Sequence, residues 1–161
     1  MPIKSALEKL QTQGKKHGLP KVVKIDEKMS RRWGSGTCVI PDPKEVDALM
    51  KKVPQGRVTT INQIRQKLAR KHKTTIACPI TTGIFASIAA HAAEELKAQG
   101  KKRITPYWRT LKAGGVINEK YPGGAVAQKE LLEKEGHRVI QKGKKYFVEN
   151  YEEKLYSNDR R

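Results

Sequence analysis

The chain has 161 residues, enough for one compact domain that buries most of its unfolded surface without disulfide staples. Hydrophobic residues make up 37% and charged residues 31%, which is polar for a globular protein yet too apolar for a disordered one. The 34 Lys+Arg outweigh 16 Asp+Glu to leave +18, no apolar run reaches the roughly 20 residues that span a bilayer, and Met1 to Lys16 lacks the apolar core of a secretory signal.

Such a charge points to a polyanion, and nucleic acid is the chemical match, because each phosphate neutralised by Lys or Arg releases counterions. A membrane is not expected as a partner, since no helix combines a cationic face with exposed Trp or Phe. Cys38 and Cys78 have no C-x-x-C spacing, and His17, His72, His91 and His137 are dispersed, so neither a disulfide framework nor a metal site is expected. No Gly-rich phosphate loop calls for a cofactor. The expected compartment is a reducing cytoplasm, with the nucleoid as the place in a prokaryote.

In chain order, Ser5 to Gln13 predicts a short helix with Gly14 as its stop. Residues 18–41 read as two short strands or extended arms joined by a loop through Arg31-Arg-Trp-Gly-Ser-Gly36. Asp42-Pro43 opens a helix with Val46, Leu49, Met50 and Val53 at helical spacing. Pro54-Gln-Gly56 breaks it, and Thr60 caps the next, whose apolar stripe is Ile61, Ile64 and Leu68. Pro79 then begins a helix that runs to Gln99, so helix, short turn, helix gives a helix-turn-helix outline.

Charge is unevenly spread over this pair. Arg57, Arg65, Lys67, Arg70, Lys71 and Lys73 occur without an acid, whereas residues 74–93 contain no charged residue. The second helix has a bulky face, Ile80, Ile84, Ile88 and Leu96 with Phe85, and a small face, Thr82, Ala86, Ala89, Ala90 and Ala93. With the bulky face in the core, the small face is free to approach a groove as narrow as the DNA minor groove, about 6 Å wide. The alternative is a helix buried on both faces.

Further on, residues 103–118 predict a wing-like hairpin, Gly123-Gly124 precedes a helix to Lys134, and Arg138 to Val148 predicts a β-hairpin. The charged segment Tyr151 to Arg161 is expected to fray.

The order of Val53-Pro-Gln-Gly-Arg-Val-Thr-Thr60, a Thr-Thr-Gly helix, Thr105-Pro-Tyr-Trp-Arg109, Gly114-Gly115, Pro122-Gly-Gly124 and Leu131-Leu-Glu-Lys-Glu-Gly136 resembles the DNA-binding domain of the alkylguanine-DNA alkyltransferases. The likeness runs from about Asp42 to Gly136. It implies an α+β, mainly α fold: a winged helix-turn-helix domain over residues 42–150, a basic N-terminal extension at 1–41 and a charged tail at 151–161. It also implies minor-groove docking of the second helix and extrusion of a nucleotide into a pocket.

Departures from the family pattern change the expected chemistry. Tyr107 stands at the acceptor-cysteine position and Trp108 at that of the activating histidine, so no thiolate is present to take an alkyl group. Glu135 keeps the relay carboxylate and Arg109 the family arginine. The family's first-helix tyrosine is Ile61 here, and its arginine wedge has no match. The pattern is similar to the alkyltransferase-like proteins, which bind damaged DNA without repairing it.

The expected function is therefore duplex DNA binding through the minor groove, with recognition of alkylated guanine and no alkyl transfer. Arg57, Thr59, Thr60, Asn62, Gln63 and Arg65 are the expected backbone contacts, Thr81, Thr82, Gly83 and Ala86 the groove contacts, and Tyr107, Trp108, Arg109, Gly123 and Gly124 the relic pocket. The protein is expected to be a monomer, with a repair protein as a candidate partner. The alternatives are an active alkyltransferase using Cys78, at the start of the second helix, and a basic protein that binds RNA or the ribosome.

Overall fold

Side-chain caps set most of the helix starts. In the computed structural model, which describes residues 5–156, the Ser5 hydroxyl accepts the Glu8 N–H and starts α1 (Ala6–His17). The helix passes the predicted stop and ends at Gly18 in the left-handed region. Gly14 is buried mid-helix instead, and a Cβ there would collide with the Asp42 carboxylate. Close approach, not termination, is what this glycine provides.

Next come β1 (Lys21–Lys24), α2 (Glu27–Trp33) and β2 (Thr37–Ile40). The two predicted strands are present, but their connection is a helix capped by Asp26, whose carboxylate accepts the Met29 N–H at 2.8 Å. A capping box of Asp42 and Glu45 starts α3 (Pro43–Lys51). After β3 (Thr59–Thr60), the Thr60 hydroxyl caps α4 (Ile61–His72). β4 (Ile76–Ala77) leads straight into α5 (Pro79–Ala98). Beyond it lie a 3-10 turn at Tyr107–Arg109, β5 (Thr110–Leu111), α6 (Gly124–Lys134), and the hairpin of β6 (Val139–Lys142) and β7 (Lys145–Val148).

The strands form three small sheets. β2 lies between β1, antiparallel, and β4, parallel; β3 pairs in parallel with β5. The wing-like hairpin predicted over residues 103–118 is reduced to a turn closed by the Lys112 N–H and the Val116 carbonyl at 2.8 Å, and its first arm pairs with β3. Its second arm pairs with β7, where the Ile117 N–H donates to the Tyr146 carbonyl at 2.9 Å. The start of the tail does not fray: the Tyr156 N–H donates to the Val58 carbonyl at 2.8 Å, and Lys67 sits 5.1 Å over the Tyr156 ring. Ser157 to Arg161 lie outside the described residues. The result is a mixed α/β fold in which helices dominate, and among the described residues no helix is long and apolar enough to cross a membrane.

The orientation of α5 reverses the expectation from its sequence. Thr82, Ala86 and Ala90 are fully buried, Ala89, Ala92 and Ala93 nearly so, and Phe85 joins them. Ile80 and Ile84 are 60% and 51% exposed. The cause is crowding. α1, α3 and α4 all pack on α5, and helix axes approach this closely only over small side chains. The N-terminal segment that the sequence sets apart shares this core through a fully buried Val39 on β2 and through Leu19 packed against it, and Leu10 on α1 is also buried. A second cluster, Val58, Leu111, Ile117, Leu132 and Val148, holds the C-terminal part.

Candidate nucleic-acid interface

Reversal of α5 moves the exposed surface to its other side. Ile80, Gly83, Ile84, Ser87 and His91 follow one another at helical spacing and line a groove of about 1030 Å³. Ile61 and Asn62 at the start of α4 continue its wall, and Lys9, Lys112 and Lys120 bring cations to it. A Cβ built on Gly83 meets nothing within 4 Å, so the helix backbone is open to close approach there. Thr82 and Ala86, expected to touch the groove, point away from it into the core.

Two contacts fix the walls of the groove. The Glu95 carboxylate on α5 accepts the backbone N–H groups of Ala6 and Leu7, both at 2.9 Å. These bonds, the Leu7 one foremost, hold the carboxyl below its ordinary range and tether the N-terminus of α1 to α5. On the other side a His91 ring nitrogen lies 3.0 Å from the Lys120 carbonyl, joining α5 to the loop that carries Lys120.

The predicted backbone contacts surround the start of α4. Thr59 and Thr60 are buried, and their hydroxyls serve the helix: Thr59 donates to Gln63 Oε1 at 2.8 Å and Thr60 accepts the Gln63 N–H. Arg65 donates from Nε to the Ala77 carbonyl at 2.9 Å and from a terminal nitrogen to Asn62. Arg57 is exposed and reaches the Glu153 carbonyl. Asn62 is also exposed and opens toward the groove.

The expected pocket residues Tyr107, Trp108 and Arg109 are packed together rather than open. Tyr107 is 2% exposed, its ring stands edge-on to Trp108 and Tyr121, and its hydroxyl donates to Glu94 at 2.9 Å. Burial first, then the Glu94 carboxylate, push its phenol well above the ordinary tyrosine range, so it stays protonated. Trp108 donates its indole N–H to Glu135 at 2.9 Å, and Arg109 grips both oxygens of the same carboxylate, the shortest contact being 2.7 Å. Arg109 also donates to the Val53 carbonyl at 2.8 Å. Burial would raise the Glu135 carboxyl, but the Arg109 and Trp108 hydrogen bonds and the Arg109 charge outweigh it and hold the carboxyl below its usual value. Arg109 and Glu135 therefore make a structural ion pair. Gly123 and Gly124, with φ of +80° and +72°, form the turn into α6 and do not line the groove.

Two solved structures are similar to the chain. One is the crystal structure of S. pombe Atl1 in complex with damaged DNA containing O6-carboxymethylguanine, at 20% identity and a TM-score of 0.49, covering 71% of this chain and 94% of that one. The other is S. pombe ATL in complex with DNA, at 19% identity and a TM-score of 0.44, with the same coverage. No protein-family model and no curated protein matches the chain.

Sequence reasoning missed Lys9, Lys112 and Lys120, which come from three separate segments, and it assigned Ile80 and Ile84 to the core. The i, i+4 spacing of the two isoleucines beside Gly83 was the available signal. Cys78, the alternative acceptor, lies at the start of α5 outside the groove lining.

Proposed function

We propose that this chain is a DNA-binding, alkyltransferase-like protein that grips duplex DNA without transferring alkyl groups. The observation that carries the reading is the groove on the outer face of α5. It presents a bare stretch of helix backbone at Gly83 between two exposed isoleucines, and it is flanked by Lys9, Lys112 and Lys120. Lysines neutralise phosphates, and exposed aliphatic side chains suit the sugar edges and base steps of a minor groove. Asn62 and Arg65 on α4, with Arg57 ahead of β3, extend the backbone contact. The groove has room for an extruded base, and an O6-alkylated guanine is the occupant that the motif order suggests. Tyr107, protonated and plugged into the core, offers no acceptor. The hairpin of β6 and β7 takes the place of the wing.

Fluorescence anisotropy tests this with two matched duplexes, one carrying an O6-alkylguanine, across a salt series. The slope of log affinity against log salt is expected to steepen by about 0.9 for each phosphate neutralised. Intact mass after incubation is expected to show no added alkyl group. The lesion duplex is expected to bind more tightly than its match, and structured RNA to compete weakly. A flat salt response, preferential RNA binding, or a mass gain on any residue would overturn the proposal; equal affinity for the two duplexes would remove its lesion component.

A further inference from the structure

We propose that Cys38 and Cys78 form an oxidation site, a thiol pair that a hydroperoxide closes to an intramolecular disulfide. The argument begins with strand register. β2 and β4 run in parallel with Cys38 opposite Ile76 and Val39 opposite Ala77. Cys78 is the next residue, and its side chain shares the face of Cys38 and Ile76 because the strand period is two. A single atom then brings the cysteines together. The Val39 carbonyl oxygen accepts the Cys78 N–H at 2.9 Å and lies 3.8 Å from Cys38 Sγ. Both thiols are free, and Cys78 is near enough to act on the Cys38 thiol.

The partners are unequal in a way that suits two-step oxidation. Cys38 is 4% exposed, and burial first, then its neighbour Cys78, push its thiol up to about 11 against the opposing charge of Arg65. It is a protonated resolving group that solvent peroxide reaches poorly. Cys78 is half-buried and caps α5 without a side-chain hydrogen bond to the helix. It therefore meets the oxidant first.

The chemistry balances. The deprotonated Cys78 sulfur attacks one peroxide oxygen, the O–O bond breaks, and the departing hydroxide takes up the proton that the thiol released, leaving as water. This gives Cys78 sulfenic acid. The Cys38 sulfur then attacks the Cys78 sulfur, the S–O bond breaks, and hydroxide leaves with the Cys38 proton as a second water. Two thiols and one hydrogen peroxide give one disulfide and two waters, and an organic hydroperoxide would give its alcohol in place of the first water. The bond would fasten β2 to the residue that caps α5, next to the Ala77 carbonyl that holds Arg65. This inference does not depend on DNA binding.

Intact-mass spectrometry tests it on the full chain. The protein is treated with hydrogen peroxide, alkylated in denaturant and weighed. The expected product has lost two hydrogens, takes up no alkylating agent, and recovers both alkylation sites after reduction. In Cys38→Ala, peroxide is expected to leave a sulfenic acid on Cys78 that a cyclic 1,3-diketone traps. Two alkylated cysteines after peroxide, a disulfide between chains in place of one within the chain, or diketone trapping no better in Cys38→Ala than in the parent would overturn the proposal. The parent-chain measurement needs no variant to fold.

Discussion

Replacing one residue on each side of α5 separates a docking surface from a packing surface. Ala86 is fully buried between α5 and its neighbours, so Ala86→Leu forces extra carbon atoms into filled space. Overpacking of this kind costs about 1–3 kcal/mol. A chain of this size shifts by about 2–4 °C per kcal/mol, so the melting temperature is expected to fall by about 2–12 °C. Gly83 has the opposite setting: it is helical and a Cβ there meets nothing within 4 Å. Gly83→Ala removes the helix penalty of glycine, about 1 kcal/mol, and is expected to raise the melting temperature by about 2–4 °C. Its effect on DNA binding is reversed, because the new methyl group holds the helix backbone off the duplex. Circular dichroism melts read the first quantity and anisotropy titration at low salt and low temperature reads the second. The reasoning fails if Ala86→Leu keeps the parental melting temperature and loses DNA affinity, since that pattern belongs to an exposed alanine face.

Further expectations follow from the charge network and the lysines. Glu135→Ala strands the Arg109 guanidinium in a buried setting, which costs about 3–5 kcal/mol; a urea midpoint within error of the parent would show that the pair is not structural. His137 is buried, and that burial, foremost among its influences, holds its pKa below the ordinary value. The unfolded chain therefore takes up this proton first, so stability declines as pH falls below about 6.5, the unfolded-state value. His137→Asn should flatten this part of the stability-pH curve, and an unchanged curve would assign the decline elsewhere. Tyr107→Phe removes the hydrogen bond to Glu94 at a cost of about 0.5–1.5 kcal/mol and leaves DNA affinity unchanged; a large affinity loss would place the phenol in the interface. Lys120→Gln should reduce the salt slope by about 0.9, and an unaltered slope would remove this lysine from the phosphate contacts.

Local chemistry made much of the fold legible. Asp42 with Pro43, Thr60, and Pro79 each announce a helix start, because orphan N–H groups and a fixed φ favour those residue types there. The helix over Glu27–Trp33 carried the same signal in Asp26, but the Arg-Arg-Trp-Gly run beyond it reads as loop. Orientation of α5 was not legible. Isoleucine and alanine are both apolar, so their stripes give a two-sided pattern with no polar face to choose between them. What chooses is the number of helices packed around α5, a tertiary fact. The candidate interface was half legible for a similar reason: Asn62 opens a predicted helix and Gly83 sits in the Thr-Thr-Gly motif, whereas Lys9, Lys112 and Lys120 converge only after folding.

The tether from Glu95 to the amides of Ala6 and Leu7 has a bearing on how the molecule can be cut. The motif-bearing stretch from Asp42 onward looks self-sufficient on paper, yet α1 roofs α5 and β2 supplies the middle strand beside β4. Excising residues 1–41 would strip both away, laying a stripe of alanines open to water and leaving β4 without its sheet. Such a fragment would be expected to clump, and its silence in a binding assay would say nothing about the intact molecule.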